Sequence, residues 1–113
     1  LIIMNYKRME KRRIVFSLNI DFQTKAEQLK TIPGIIESII KEQKLTDFDR
    51  AHFREIGEFC FIIEVVYFVL SSDYNTYMDI QEAINLKIME KFNTLGIKFT
   101  YPTQKLFMEN FKN

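Results

Sequence analysis

The hydropathy period of this chain switches between two and roughly 3.6 residues in a fixed order, and that order restricts the fold more than any single residue does. Residues Arg13–Ile20 alternate, with Ile14, Phe16, Leu18 and Ile20 on one face and Val15, Ser17 and Asn19 on the other, which predicts a half-buried strand. Over Thr24–Lys44 the apolar residues Leu29, Ile32, Ile36, Ile39 and Ile40 recur at three- and four-residue spacing, the mark of an amphipathic helix. Pro33-Gly34 lies inside that helix. Proline lacks the N–H and clashes with the preceding turn, so a kink or a restart is expected, with Pro33 in a first-turn position.

A hairpin should follow, with strands Phe48–Arg54 and Glu58–Leu70 joined by Glu55-Ile56-Gly57. A loop of that length sets Arg54 opposite Glu58, Phe53 opposite Phe59 and Ala51 opposite Phe61, and it gains support from one charge pair and one aromatic pair. A second helix is predicted over Asn75–Leu95, with Tyr77, Ile80, Ile84, Ile88 and Leu95 on one face and Gly96 as a left-handed cap. Ile97, Phe99 and Tyr101 then alternate with Lys98 and Thr100 in a last strand that Pro102 ends. Strand, helix, strand, strand, helix, strand is the order of an α+β, ferredoxin-like βαββαβ fold: a four-stranded antiparallel sheet with both helices on one face.

Composition narrows the function. A chain of 113 residues holds one core, and a hydrophobic fraction of 47% is that of a folded domain. Sixteen basic against fifteen acidic residues leave a net charge of +1, without the basic excess of a dedicated nucleic-acid binder. The longest apolar run, within Phe59–Leu70, is interrupted by Glu64 and falls short of the about 20 residues a membrane-spanning helix needs. No signal peptide is read at the N-terminus, because the basic run Lys7–Arg13 leads into strand-like alternation. The lone Cys60 excludes an internal disulfide and fits a reducing compartment.

Catalytic chemistry finds little to use. His52 and Cys60 stand opposite each other in the predicted hairpin, but nothing nearby would orient the imidazole, and no cysteine-enzyme signature surrounds Cys60. One His and one Cys are too few for zinc, and Gly34, Gly57 and Gly96 begin no phosphate loop. The expectation is therefore no catalytic, metal or cofactor residues, and no enzyme. RNA recognition deserves weight because the RNA-recognition motif shares this element order. Its stacking aromatics must leave the open face of the sheet, whereas Phe16, Phe59 and Phe61 share parity with the apolar core positions. The opposite face carries Arg50, His52, Arg54, Glu58 and Glu64, a mixed-charge surface. Nucleic acid is thus not an expected partner. The run Lys7, Arg8, Lys11, Arg12 and Arg13 could meet anionic lipid or simply solvent.

Several stretches in order carry a family resemblance. Asp49-Arg50-Ala51-His52-Phe53, Glu64 to Ser71, Asp73 to Gln81 and Gly96-Ile97-Lys98-Phe99-Thr100-Tyr101-Pro102-Thr103-Gln104 closely resemble the C-terminal domain of small-conductance mechanosensitive channels. Asn5-Tyr6-Lys7-Arg8-Met9 with Arg12-Arg13 resembles the end of that family's preceding small β-domain. Lys98 and Thr100 depart from the acid and Ala frequent there, which touches surface charge only. The likeness implies a division into residues 1–13, the end of the β-domain; 14–102, a ferredoxin-like vestibule domain; and 103–113, a tail that adds a strand to an intersubunit barrel. Leu106, Phe107, Met108 and Phe111 make that tail too apolar to stand alone.

The resemblance also implies a homoheptamer in the cell (inner) membrane, with this domain on the cytoplasmic side and tension-gated pore helices upstream of Leu1. Ions and small solutes would pass through the vestibule without specific binding, as in a channel that answers osmotic stress. The alternative is a free-standing ferredoxin-like binding or oligomerisation module.

Overall fold

A computed structural model describes residues 10–100 of the chain. The first strand, β1 (Arg12–Ile20), alternates as its sequence dictates: Ile14 and Ile20 are buried, Phe16 and Leu18 half-buried, and Arg13, Val15, Ser17 and Asn19 exposed. Helix α1 (Ala26–Lys41) buries Leu29, Ile32, Ile36, Ile39 and Ile40. Its first turn is fixed where the Lys25 N–H donates to Gln28 Oε1 at 3.1 Å, and its far end where Thr46 Oγ1 lies 3.0 Å from the Ile40 carbonyl. The expected restart at Pro33 is absent, and one helix runs through it. Burial of five aliphatic side chains on one stripe outweighs the single bond that the missing Pro33 donor costs.

Strands β2 (Thr46–Ile56) and β3 (Phe61–Val69) form the hairpin, but in a different register from the one the sequence suggested. Phe53 faces Ile63, not Phe59; Ala51 faces Val65, not Phe61; and Ile56 faces Phe61. The connection is Gly57–Cys60, closed by the Gly57 N–H donating to the Cys60 carbonyl at 2.8 Å, so Glu58 and Phe59 belong to the turn. Register irregularities between Phe48 and Arg50 and between Phe53 and Glu55 bend β2 and bring Phe48 onto the core side along with Ala51. The four-residue displacement is even, so each β3 side chain keeps its predicted face.

Helix α2 (Tyr74–Leu95) starts at Asp73, whose carboxylate accepts the Thr76 N–H at 3.0 Å, and ends at Gly96, with φ +75°. It buries Ile84, Ile88 and Phe92; Leu95, expected on that stripe, is exposed and Phe92 takes the inward position. Ile84, Ile88 and Phe92 join the α1 stripe and the Ile14, Ile20, Ile63, Val65, Tyr67 and Val69 side of the sheet in one core. Both helices therefore cover the same face.

The described sheet has three strands in the order β1-β3-β2, both pairings antiparallel, where four were expected. The segment expected as the last strand makes one bridge, Ile20 to Phe99, flanked by the Asp21 N–H to Lys98 carbonyl bond (2.9 Å) and the Thr100 N–H to Asn19 carbonyl bond (3.0 Å). Only residues up to Thr100 are described there; Tyr101, Pro102, the tail 103–113 and residues 1–9 lie outside the described part.

Candidate functional site

The face of the sheet turned away from the helices collects the charge. Glu64 on the central strand receives Arg50 Nη1 at 3.1 Å and Arg54 Nη1 at 3.7 Å, and Arg54 also meets Glu55 at 3.2 Å. Arg54 reaches Glu64 because it sits at an irregularity of β2. Val66 is fully buried on this same face, with Val15 and Arg50 as its cross-strand neighbours. The result is a sheet surface of neutralised ion pairs over an aliphatic strip. Among the described residues it presents no unpaired cation cluster for a polyanion and no aromatic platform for stacked bases.

The candidate Cys–His pair does not form. His52 is registered with Glu64, whereas Cys60 lies in the hairpin turn, because the true register starts the turn at Gly57, two residues later than predicted. Among the described residues, no group of three or more His, Cys, Asp or Glu side chains is placed to hold a metal ion. No described helix is long and apolar enough to cross a membrane.

Two of the three described basic residues of the run, Lys11 and Arg12, are committed internally, while Arg13 is exposed. Lys11 lies over the Phe68 ring at 5.4 Å and 3.7 Å from Asp47. Arg12 donates through Nη2 to the Ser72 carbonyl at 3.2 Å, and its guanidinium lies 5.7 Å and 5.6 Å from the Tyr74 and Tyr77 ring centres. This clamp joins the start of β1 to the first turn of α2. Sequence reasoning missed it, since cation–π contacts between residues sixty positions apart leave no local signal. Beside it, hydrogen bonds from the Thr76 hydroxyl and then its N–H, with the Arg12 charge, hold the Asp73 carboxyl below the usual carboxylate range.

Of the aromatics assigned to the core, Phe16 and Phe61 pack against it, but Phe59 is exposed in the turn. Phe22 and Phe53 both contact Phe61, at ring-centre distances of 4.9 and 5.5 Å, and both remain partly in solvent. A groove of about 690 Å³ runs between the end of α2 and residues 97–100, lined by Leu86, Met89, Phe92, Ile97 and Phe99. A second, of about 520 Å³, lies between the outer sides of α1 and α2, with Ile35, Ser38, Lys87 and Lys91 among its walls. Both are open troughs. Neither gathers the convergent polar groups that fix a small ligand.

Residues 14–99 match the family model described as mechanosensitive ion channel MscS, C-terminal. The chain is 32% identical over 108 residues to the small-conductance mechanosensitive channel MscMJ of Methanocaldococcus jannaschii, covering 95% of this chain and 31% of that protein. It is 29% identical over 113 residues to the large-conductance channel MscMJLR of the same organism, covering 96% of this chain and 31% of the relative. An uncharacterized MscS family protein of Aquifex aeolicus is 33% identical over 110 residues, covering 95% of this chain and 30% of the relative. The chain thus spans about a third of the length of the curated relatives it matches.

Proposed function

The chain belongs to the MscS family of mechanosensitive ion channels, matching its C-terminal domain, and on that premise we propose that it is the vestibule and assembly domain of a channel that opens under membrane tension to release ions and small solutes. The supporting observation is a coincidence of boundaries. The family match starts at Ile14, the first buried residue of β1, and stops at Phe99, the residue that bridges to Ile20. The described fold and the family match thus cover nearly the same residues.

In this reading the domain sits on the cytoplasmic side of the cell membrane, beneath pore helices encoded upstream of Leu1, with seven copies forming a cage. Residues 1–13 end the preceding β-domain. Residues 97–101 complete a four-stranded ferredoxin-like sheet, for which the Ile20–Phe99 bridge is the first rung. The apolar tail 103–113 adds one strand per copy to a closed barrel, which removes the exposed edge such a strand would otherwise present. The chain's role is structural: it filters what reaches the pore by size and by the local fields of its charged surfaces, without catalysis.

The test is electrical. The product of the complete reading frame, reconstituted in liposome patches, should pass stepwise current when suction is applied and none at rest. Silence under tension up to patch rupture, or a reading frame without membrane-spanning helices, rules the proposal out.

A further inference from the structure

Four of the eleven large apolar side chains exposed among the described residues lie at one end of the sheet. There the hairpin turn, the exit of β1 and residues 97–100 meet. Ile56 is 70% exposed, Phe59 56%, Phe22 42% and Phe53 38%, and Phe22 and Phe53 flank the same Phe61 ring. None of the four belongs to the buried core, so the fold does not account for them. At roughly 200 Å² per large side chain, they present about 400 Å² of apolar surface, the size at which a patch on a monomer is often functional.

We infer that this hairpin-tip patch is a contact surface for a second copy of the chain. The inference rests on the assembly reading above and names the surface it uses. Three observations select this occupant. The Thr100 hydroxyl lies 3.5 Å from the Phe59 carbonyl, so the chain leaves for its apolar tail beside the patch, and copies joined through their tails bring their patches together. The nearby charges nearly balance, with Arg54 and Lys98 against Asp21, Glu55 and Glu58, so a like copy is little repelled and an anionic membrane or nucleic acid gains nothing. The area is about half of what one partner contributes to a standard interface, too little for a free-standing dimer and fitting for a copy already held nearby.

The experiment places a benzophenone side chain at Phe59 in the product of the complete reading frame and irradiates it in its membrane. The expected product is a covalent dimer whose crosslink maps to a second copy. Ile56→Asp should lower its yield by about tenfold or more, as expected for losing one buried aliphatic anchor. Val15→Asp, on the other face of the sheet, should leave the yield unchanged. Capture of lipid, capture of the chain's own residues 103–113, no capture, or a yield indifferent to Ile56→Asp each overturns the inference. Oligomer size in detergent is read in parallel. An intact oligomer without the dimer crosslink sinks the patch alone, whereas a monomer sinks the assembly reading as well.

Discussion

The Tyr67 hydroxyl donates to Gln81 Oε1 at 2.6 Å, joining the central strand to the middle of the second helix through the core. Tyr67 is fully buried beneath the helices and meets Phe16 edge-on at 6.2 Å, so its only polar atom is satisfied by the helix that covers it. Gln81 is in turn oriented by the hydrogen bond its Nε2 donates to Asn85 Oδ1 at 2.9 Å. This small relay fixes how α2 sits over β3.

Tyr67→Phe should cost about 0.5–1.5 kcal/mol, read as a fall in the urea midpoint without a change in slope. Burial, and secondarily the neighbouring Tyr77, pushes the Tyr67 phenol up from its ordinary value. A phenol whose folded pKa lies above its unfolded value of about 10 favours the folded state below that pH, and the advantage is lost as pH rises through the folded value. Stability above pH 10 should therefore fall less steeply in Tyr67→Phe than in the parent chain.

Asp73→Ala removes the acceptor for both the Thr76 N–H and hydroxyl, and should lower Tm and speed hydrogen exchange in the first turn of α2. Because the folded carboxyl is held below its ordinary range, its contribution is complete above that range and disappears as pH falls through the folded value. Asp73→Asn should keep most of the cap and lose that acid dependence. Equal acid slopes for parent and Asn variant would contradict this account.

Two glycines should respond to alanine with opposite signs. Gly34 is inside α1 with nothing within 4 Å of an added Cβ, so Gly34→Ala should stabilise by about 0.5–1 kcal/mol. Gly96 is equally open but has φ +75°, so Gly96→Ala should destabilise by about 1–2 kcal/mol from backbone strain alone. Thermal denaturation of the two variants side by side decides it.

Arg12→Lys should behave much like Arg12→Met. Lys keeps the charge but not the planar group that lies near both tyrosine rings and reaches the Ser72 carbonyl. Each should lose about 1–2 kcal/mol, with the loss of amide protection concentrated at residues 72–77. A Lys variant as stable as the parent would assign the clamp to charge alone.

The order of the first five elements and the face of each β3 side chain were legible without coordinates, because period two and period 3.6 are properties of the local chain. Leu29, Ile32, Ile36, Ile39 and Ile40 form the buried stripe of α1, and Gly96 ends α2, as short-range steric and capping rules require. The hairpin register was not legible. Alternation is blind to an even slip, so Phe53 against Ile63 and Phe53 against Phe59 satisfy the same pattern, and only the turn closed by Gly57 and Cys60 chooses.

The restart expected at Pro33 does not occur, for a related reason. The proline's local penalty is visible in the sequence, while the core burial that overrides it exists only once α1 lies on the sheet. The same holds for Phe59 and Arg12, whose surroundings come from residues distant along the chain. The sequence by itself determined the order of the first five elements, which side of β1 and of β3 is apolar, and the family. Tertiary structure alone decided which residues meet across strands and which aromatics remain at the surface, since those contacts depend on turn geometry and packing that no local period encodes.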